Sequence, residues 1–215
     1  MLQEKLEFLR GPGGFRAAGF FGLKLLTRIE VFRIVYRYTQ PAAIVALPPD
    51  WRYLSLHDDE ALSEVSPALI EQAAEQCGAH PSEILRRHGS LHFLMAEDAL
   101  IAQLSIANGP ACRLDSPSLC LSMKVTDAFL SYLYTWPGYR RLGAAQQLIS
   151  SAVNDLAAHN IHRIIAHIRA TNVPSLAAFE HAGWKSGAMV LCTPGGRLLM
   201  APGAARSGLR FRMPA

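Results

Sequence analysis

The sequence predicts an α/β fold built on a mixed sheet, and three observations carry that prediction. Short segments rich in β-branched and aromatic residues follow one another from Leu91 to Trp136. A run with helical periodicity extends from about Gly143 to His159, with Leu148, Ala152 and Leu156 on one face and Ile149, Val153 and Ala157 beside them. From there the chain ends in a strand–helix–strand order.

The elements follow in sequence. Phe15 to about Tyr38 reads as a helix followed by an extended piece, between GPGG at Gly11–Gly14 and a Pro-rich linker at Pro41–Asp50. Arg52–Leu56 is a short strand, and Asp58 or Asp59 caps the helix after it. LHFLMA and ALIAQLSIA flank Glu97 and Asp98, which makes a hairpin. LCLSMKV and AFLSYLYTW supply two more strands. Asn160 ends the long helix as a left-handed terminator. HRIIAHIRA is the next strand, and Asn172 caps a short helix with Pro174 in its first turn. WKSGAMVLCT and GRLLMA close as a hairpin around Pro194, Gly195 and Gly196. This order divides the chain into a basic extension and linker (1–50), a compact domain (51–203) and a basic tail (204–215).

With 215 residues, 50% of them hydrophobic and 18% charged, the composition is that of a globular protein with room for a well-buried core. Cys77, Cys112, Cys120 and Cys192 are far apart and form no CxxC pair, which argues against a zinc–cysteine site or a disulfide scaffold. They fit reduced thiols, hence a cytoplasmic location. His57, His80, His88, His92, His159, His162 and His181 show no ligand spacing, so no metal is expected. Glu4 and Glu7 stand where a secretory signal would build its apolar run.

Charge is uneven: residues 1–40 and 196–215 together carry +8, against a formal total of +4, which leaves the middle at −4. The basic segment at 15–38 is either a solvated helix packed by its apolar side or a peripheral contact with the inner face of a membrane. Nucleic acid is not expected, because the middle is acidic and no aromatic–basic interleaving occurs.

The chemistry concentrates in YTWPGYRRLGAAQQL, from Tyr134 to Leu148. A helix N-terminus offers backbone N–H groups without internal partners and a partial positive charge. Gly143 and Ala145 leave the approach clear, and Arg140 and Arg141 add charge, so the stretch has the parts of a diphosphate cradle. A plain tight turn uses the same small residues. Neither GxxxxGK[ST] nor GxGxxG is present.

Arg140-x-x-Gly143-x-Ala145, preceded by Leu133-Tyr134-Thr135-Trp136-Pro137, resembles the [QR]xxGx[GA] signature of the GNAT acyltransferase superfamily. Arg169-Ala170-Thr171-Asn172 with Ser175, Ala178, Phe179, Gly183 and Trp184 is similar to that family's second motif. The two motifs span about Ala128 to Val190, and with the strand and helix order from Trp51 the resemblance extends over about residues 51–200. It implies a central twisted, mostly antiparallel sheet flanked by helices, and transfer of an acyl group, most simply acetyl, from CoA to an amine.

By the same resemblance Arg140, Arg141, Leu142, Gly143, Ala144 and Ala145 hold the CoA diphosphate. Leu133, Tyr134 and Thr135 line the pantetheine arm, together with Asn172, Ser175 and Phe179. The family's usual acid is a tyrosine where this sequence has Phe179, which cannot donate a proton. Proton transfer then falls to His167 or Asp127 as base, with Tyr132 or Tyr134, placed on one face by alternation, as acid. The acceptor is a small molecule or saccharide amine such as an amino sugar or a surface-polysaccharide or lipid precursor, or else a protein N-terminus or lysine. A non-catalytic acyl-CoA sensor or scaffold is the alternative. A dimer is compatible with the sequence, and no residue in it fixes the oligomeric state.

Overall fold

The structure, a computed structural model, describes residues 14–39, 46–77, 79–87, 89–114 and 119–212. The first half contains α1 (Gly14–Thr27), β1 (Glu30–Tyr38), β2 (Trp51–Leu56), α2 (Asp59–Ser63), α3 (Pro67–Cys77) and α4 (Pro81–Arg86). Strands β3 (Ser90–Ala96), β4 (Ala99–Asn108), β5 (Ala111–Arg113), β6 (Cys120–Ser122) and β7 (Asp127–Thr135) come next. The chain continues with α5 (Ala144–Ala158), β8 (Arg163–Arg169), α6 (Val173–His181), β9 (Lys185–Cys192), β10 (Leu198–Met200) and β11 (Arg210–Arg212). GPGG and the linker at 41–45 fall wholly or largely outside the described residues.

The described residues form two compact units. The larger takes Arg37–Cys112 and Met123–Ala166. Its strands are ordered β8-β7-β4-β3-β2, antiparallel except for the parallel pair β7 and β8. Leu91, Phe93 and Met95 of β3 pack with Leu62, Leu69, Ala73, Cys77 and Leu85 from α2, α3 and α4. Side chains alternate across a strand, so His92 and Leu94 face the other way, toward α5. Both faces of β3 and β4 are covered, which is why these strands read as nearly continuous apolar runs. Helix α5 buries Leu148, Ile149, Ala152, Val153 and Leu156. Truncating one of these, Leu148→Ala for example, removes contacts usually worth about 2–5 kcal/mol.

Local signals set the element ends. Asp58 accepts from the Ala61 N–H at 2.8 Å and caps α2. Glu97 turns the β3–β4 hairpin at φ 52°, and Asn160 ends α5 at φ 60°. Only Cys120–Ser122 of LCLSMKV is strand. Beyond it the chain turns, because the Asp127 carboxylate accepts from the Lys124 N–H at 2.9 Å and the Asp127 N–H donates back to the Lys124 carbonyl.

The smaller unit comprises the described residues up to Tyr36, Arg113–Ser122 and those from His167 onward. β1 pairs antiparallel with β9 from Glu30↔Cys192 to Tyr36↔Lys185, so this part of the supposed extension is sheet. In the supposed tail, β11 pairs with β6 and Ser207 Oγ donates to the Gly187 carbonyl at 2.7 Å. Helix α1 leaves Phe21, Leu25 and Leu26 exposed. Among the described residues no helix is long and apolar enough to cross a membrane.

Candidate functional site

The second half of β7 breaks the regularity its sequence suggests. Gln103 pairs with Tyr134 and Ser105 with Ser131, so Tyr132 and Leu133 together oppose Leu104 alone. This is a β-bulge, and Tyr132 adopts φ 51° to form it. The alternation that put Tyr132 and Tyr134 on one face is interrupted there, which corrects that expectation.

The parallel register with β8 runs from Asp127↔Arg163 to Leu130↔Ala166 and stops just before the bulge. Past it, the Trp136 N–H donates to the Ile101 carbonyl at 3.0 Å on β4. Successive residues of a strand turn their backbone groups to opposite edges. Counting back from Trp136, Tyr134 faces β4, while Leu133 presents its N–H and C=O to the opposite edge and Thr135 its N–H, the Thr135 C=O being taken by Arg140 Nε. A strand-like ligand needs such an edge.

After β7 the chain makes a turn at Pro137–Tyr139, passes Arg141 at φ 65° and reaches Gly143 at φ 84°. Gly143 is the N-cap residue of α5, with no side-chain cap and no acid in the first turn. A left-handed residue is best served by glycine, and a Cβ built on Gly143 meets nothing within 4 Å. The helix start is therefore bare, and its first N–H groups have no intrahelical acceptors. Arg141 and Leu142 lie exposed beside it, Ala145 is half-buried and Ala144 is buried. Arg140 folds back on β7: its Nε donates to the Thr135 carbonyl at 3.1 Å, and its guanidinium lies 5.7 Å from the Tyr134 ring centroid. Tyr134 also meets Trp136 edge-on at 5.0 Å. These residues fit a diphosphate, since an uncapped, positively polarised helix end opens onto empty space.

The remaining expected site residues behave differently. Asp127 is buried, bound by two bonds to Arg163 and by the Lys124 N–H, so its carboxylate is engaged and the role of base does not fit it. Phe179 is 3% exposed and packs edge-on against Trp184 at 4.7 Å, which leaves no surface for a cofactor. Asn172 caps α6 by accepting from the Ser175 N–H at 3.3 Å. His167 is half-buried, its ring 5.6 Å from Phe32 at 62°.

A cavity of about 540 Å³ lies on the β2 side, lined by Arg52, Ser55, Glu64, Ser66, Met95 and Asp98 among others. In the order β7-β4-β3-β2, three strand spacings put β2 about 14 Å from β7.

One cluster has no counterpart in the sequence reading. His57, Asp155 and His159 offer donor atoms within 4.8 Å of one another, against the expectation that the histidines form no ligand set. Asp155 and His159 stand four apart on one helix face, the only signal in the sequence. His57 lies 98 residues from Asp155.

The sequence matches the family described as the Acetyltransferase (GNAT) family over residues 52–184. No curated protein sequence matches the chain. A crystal structure of a protein from Novosphingobium aromaticivorans, assigned to the GNAT acetyltransferases, is similar at TM-score 0.51 and 17% identity. That similarity covers 77% of this chain and 63% of the other, so the chain spans less than two thirds of that relative. A GCN5-related N-acetyltransferase from Kribbella flavida gives TM-score 0.51 at 10% identity, covering 89% of this chain and 67% of the other. At these identities the two structures speak for the fold.

Proposed function

The chain belongs to the GNAT acetyltransferase family, and on that footing we propose that it transfers an acetyl group from acetyl-CoA to the amine of a small-molecule acceptor. The observation that carries this reading is the uncapped start of α5 at left-handed Gly143, directly after a strand whose edge groups at Leu133 and Thr135 face away from β4. The N–H groups of Ala144 and Ala145, with Arg141, would hold the diphosphate. Leu133 and Thr135 would bond the pantetheine amides as a neighbouring strand does.

Acetyl-CoA supplies the activated thioester. The chain polarises its carbonyl with a backbone N–H on the β7 edge, a preorganised donor aimed where negative charge develops. The amine nitrogen forms its bond to the carbonyl carbon as the carbon–sulfur bond breaks, and the amine loses one proton. With Phe179 packed and unable to donate, and Asp127 tied to Arg163, we assign proton return to the departing thiolate to Tyr134, the amine proton passing to solvent. An amino sugar or a precursor bearing one is the first acceptor to test, ahead of a peptide amine.

The packed Phe179 favours a second reading, an acyl-CoA sensor without turnover. One experiment separates the two. The protein is titrated calorimetrically with acetyl-CoA, then incubated with acetyl-CoA and a panel of amines, and free CoA is read by mass spectrometry. Binding with amine-dependent CoA release supports transfer. Binding without release across amino sugars, polyamines and peptides supports the sensor, and absence of binding by the folded protein removes both.

A further inference from the structure

Helix α5 runs 15 residues from the Gly143 loop to the end of β2, so its two ends lie about 22 Å apart. At the far end three imidazoles surround one carboxylate oxygen. His57 Nε2 lies 2.9 Å from Asp155 Oδ2, His159 Nδ1 3.7 Å and His92 Nδ1 4.0 Å. The His57 and His159 rings are stacked, with centroids 4.1 Å apart at 25°.

We propose that His57, Asp155 and His159 form a surface site for a divalent late transition metal, Zn²⁺ by preference, that fastens the C-terminal end of α5 to the end of β2. One donor atom from each of the three lies within 4.8 Å of the others, a spread that ligand bonds of about 2.0–2.2 Å bridge after small side-chain rotations. Two nitrogens and one oxygen are a borderline set that suits zinc, with solvent completing the shell.

The surroundings are arranged as such a site requires. Ser55 Oγ donates to Asp155 Oδ1 at 3.0 Å, which holds the carboxylate by one oxygen and leaves Oδ2 toward the histidines. The Nδ1 of His159 lies 2.9 Å from the Asp155 carbonyl, a contact that fixes the tautomer of the imidazole and leaves the Nε2 lone pair for a metal. Behind them, fully buried His92 is held between Tyr53 Oη at 2.6 Å and Ser90 Oγ at 2.8 Å, so it is committed to the interior and acts as a support. The ion has a path in, since the side chains of His57, Asp155 and His159 are 31%, 16% and 52% exposed.

The distance from the Gly143 loop makes this a structural site, so its test needs no activity. Untagged full-length protein, stripped with a chelator, is titrated with Zn²⁺ by calorimetry, and the Co²⁺ form is examined for visible ligand-field bands. The expected result is one equivalent of Zn²⁺ bound and a raised thermal midpoint. His57→Gln and His159→Gln should each weaken binding tenfold or more and abolish the thermal shift, while His181→Gln retains both. His159 is half exposed, so its variant remains informative if His57→Gln does not fold. Failure of the folded parent to bind Zn²⁺, or binding that His159→Gln leaves unchanged, overturns the proposal.

Discussion

Arg163 and Asp127 form a buried, two-pronged ion pair, with Nε donating to Oδ1 at 2.9 Å and Nη2 to Oδ2 at 2.6 Å. The two residues are register partners at the start of β7 and β8, the parallel pair whose separation after Leu130 leaves an edge of β7 unpaired with β8. A charge that loses its partner in the interior is costly. Asp127→Asn is therefore expected to lower stability by about 3–5 kcal/mol, read from urea unfolding. Acetyl transfer per folded molecule should be unchanged. A variant that is stable but inactive would restore Asp127 as a catalytic base.

Ala145→Glu tests the diphosphate site without forcing the backbone. An acid in the first turn of a helix favours the helix by about 0.3–1 kcal/mol, so thermal stability should hold or rise slightly. The same charge opposes a diphosphate, and acetyl-CoA affinity should fall by roughly tenfold or more. Gly143→Ala separates strain from binding. Its methyl group meets open space, yet φ 84° should cost it about 1–2 kcal/mol of stability.

Acid should loosen the larger unit. Burial, with the charges of His57 and His159 adding, pushes His92 down to about 3. The unfolded chain takes up this proton near its ordinary value of about 6.5. His92 therefore contributes stability that is full above about pH 6.5 and lost as pH falls toward 3. Tyr53, raised by burial and by Asp155, stays neutral over that span. Urea midpoints measured from pH 7 to pH 4 with a chelator present should fall steadily, and less so in His92→Asn. Equal slopes for both proteins would assign the acid sensitivity elsewhere.

Two N-terminal deletions should behave differently. Removing residues 1–27 takes away α1, whose Lys24–Glu30 ion pair is a surface contact of small value. A soluble, cooperatively unfolding protein is expected. Removing residues 1–38 also takes away β1, stripping β9 of a partner along Lys185–Cys192 and uncovering buried Ala188 and Val190. Aggregation on expression is the expected outcome, scored by gel filtration of both proteins.

The sequence by itself determined what short-range physics controls. The helix from Ala144 to Ala158, its left-handed stop at Asn160, the Asp58 and Asn172 caps and the small residues around Gly143 all depend on neighbours within a few positions. The family signature is legible for the same reason, because a diphosphate cradle is one turn and one helix start. Tertiary structure decided everything that needs a distant partner. The bulge at Tyr132 is invisible in AFLSYLYT because it arises from register against β4, two residues facing one. β1 and β11 looked like extensions because the strands they pair with lie more than eighty residues away in sequence. The ion pair of Asp127 with Arg163, 36 residues on, is likewise absent from the local sequence, which offers Asp127 only as a candidate base or a turn cap. His57 and Asp155, 98 residues apart, meet only because α5 crosses the sheet from β7 to β2. Spacing along a chain reports geometry within one element, and contacts between elements are set by packing.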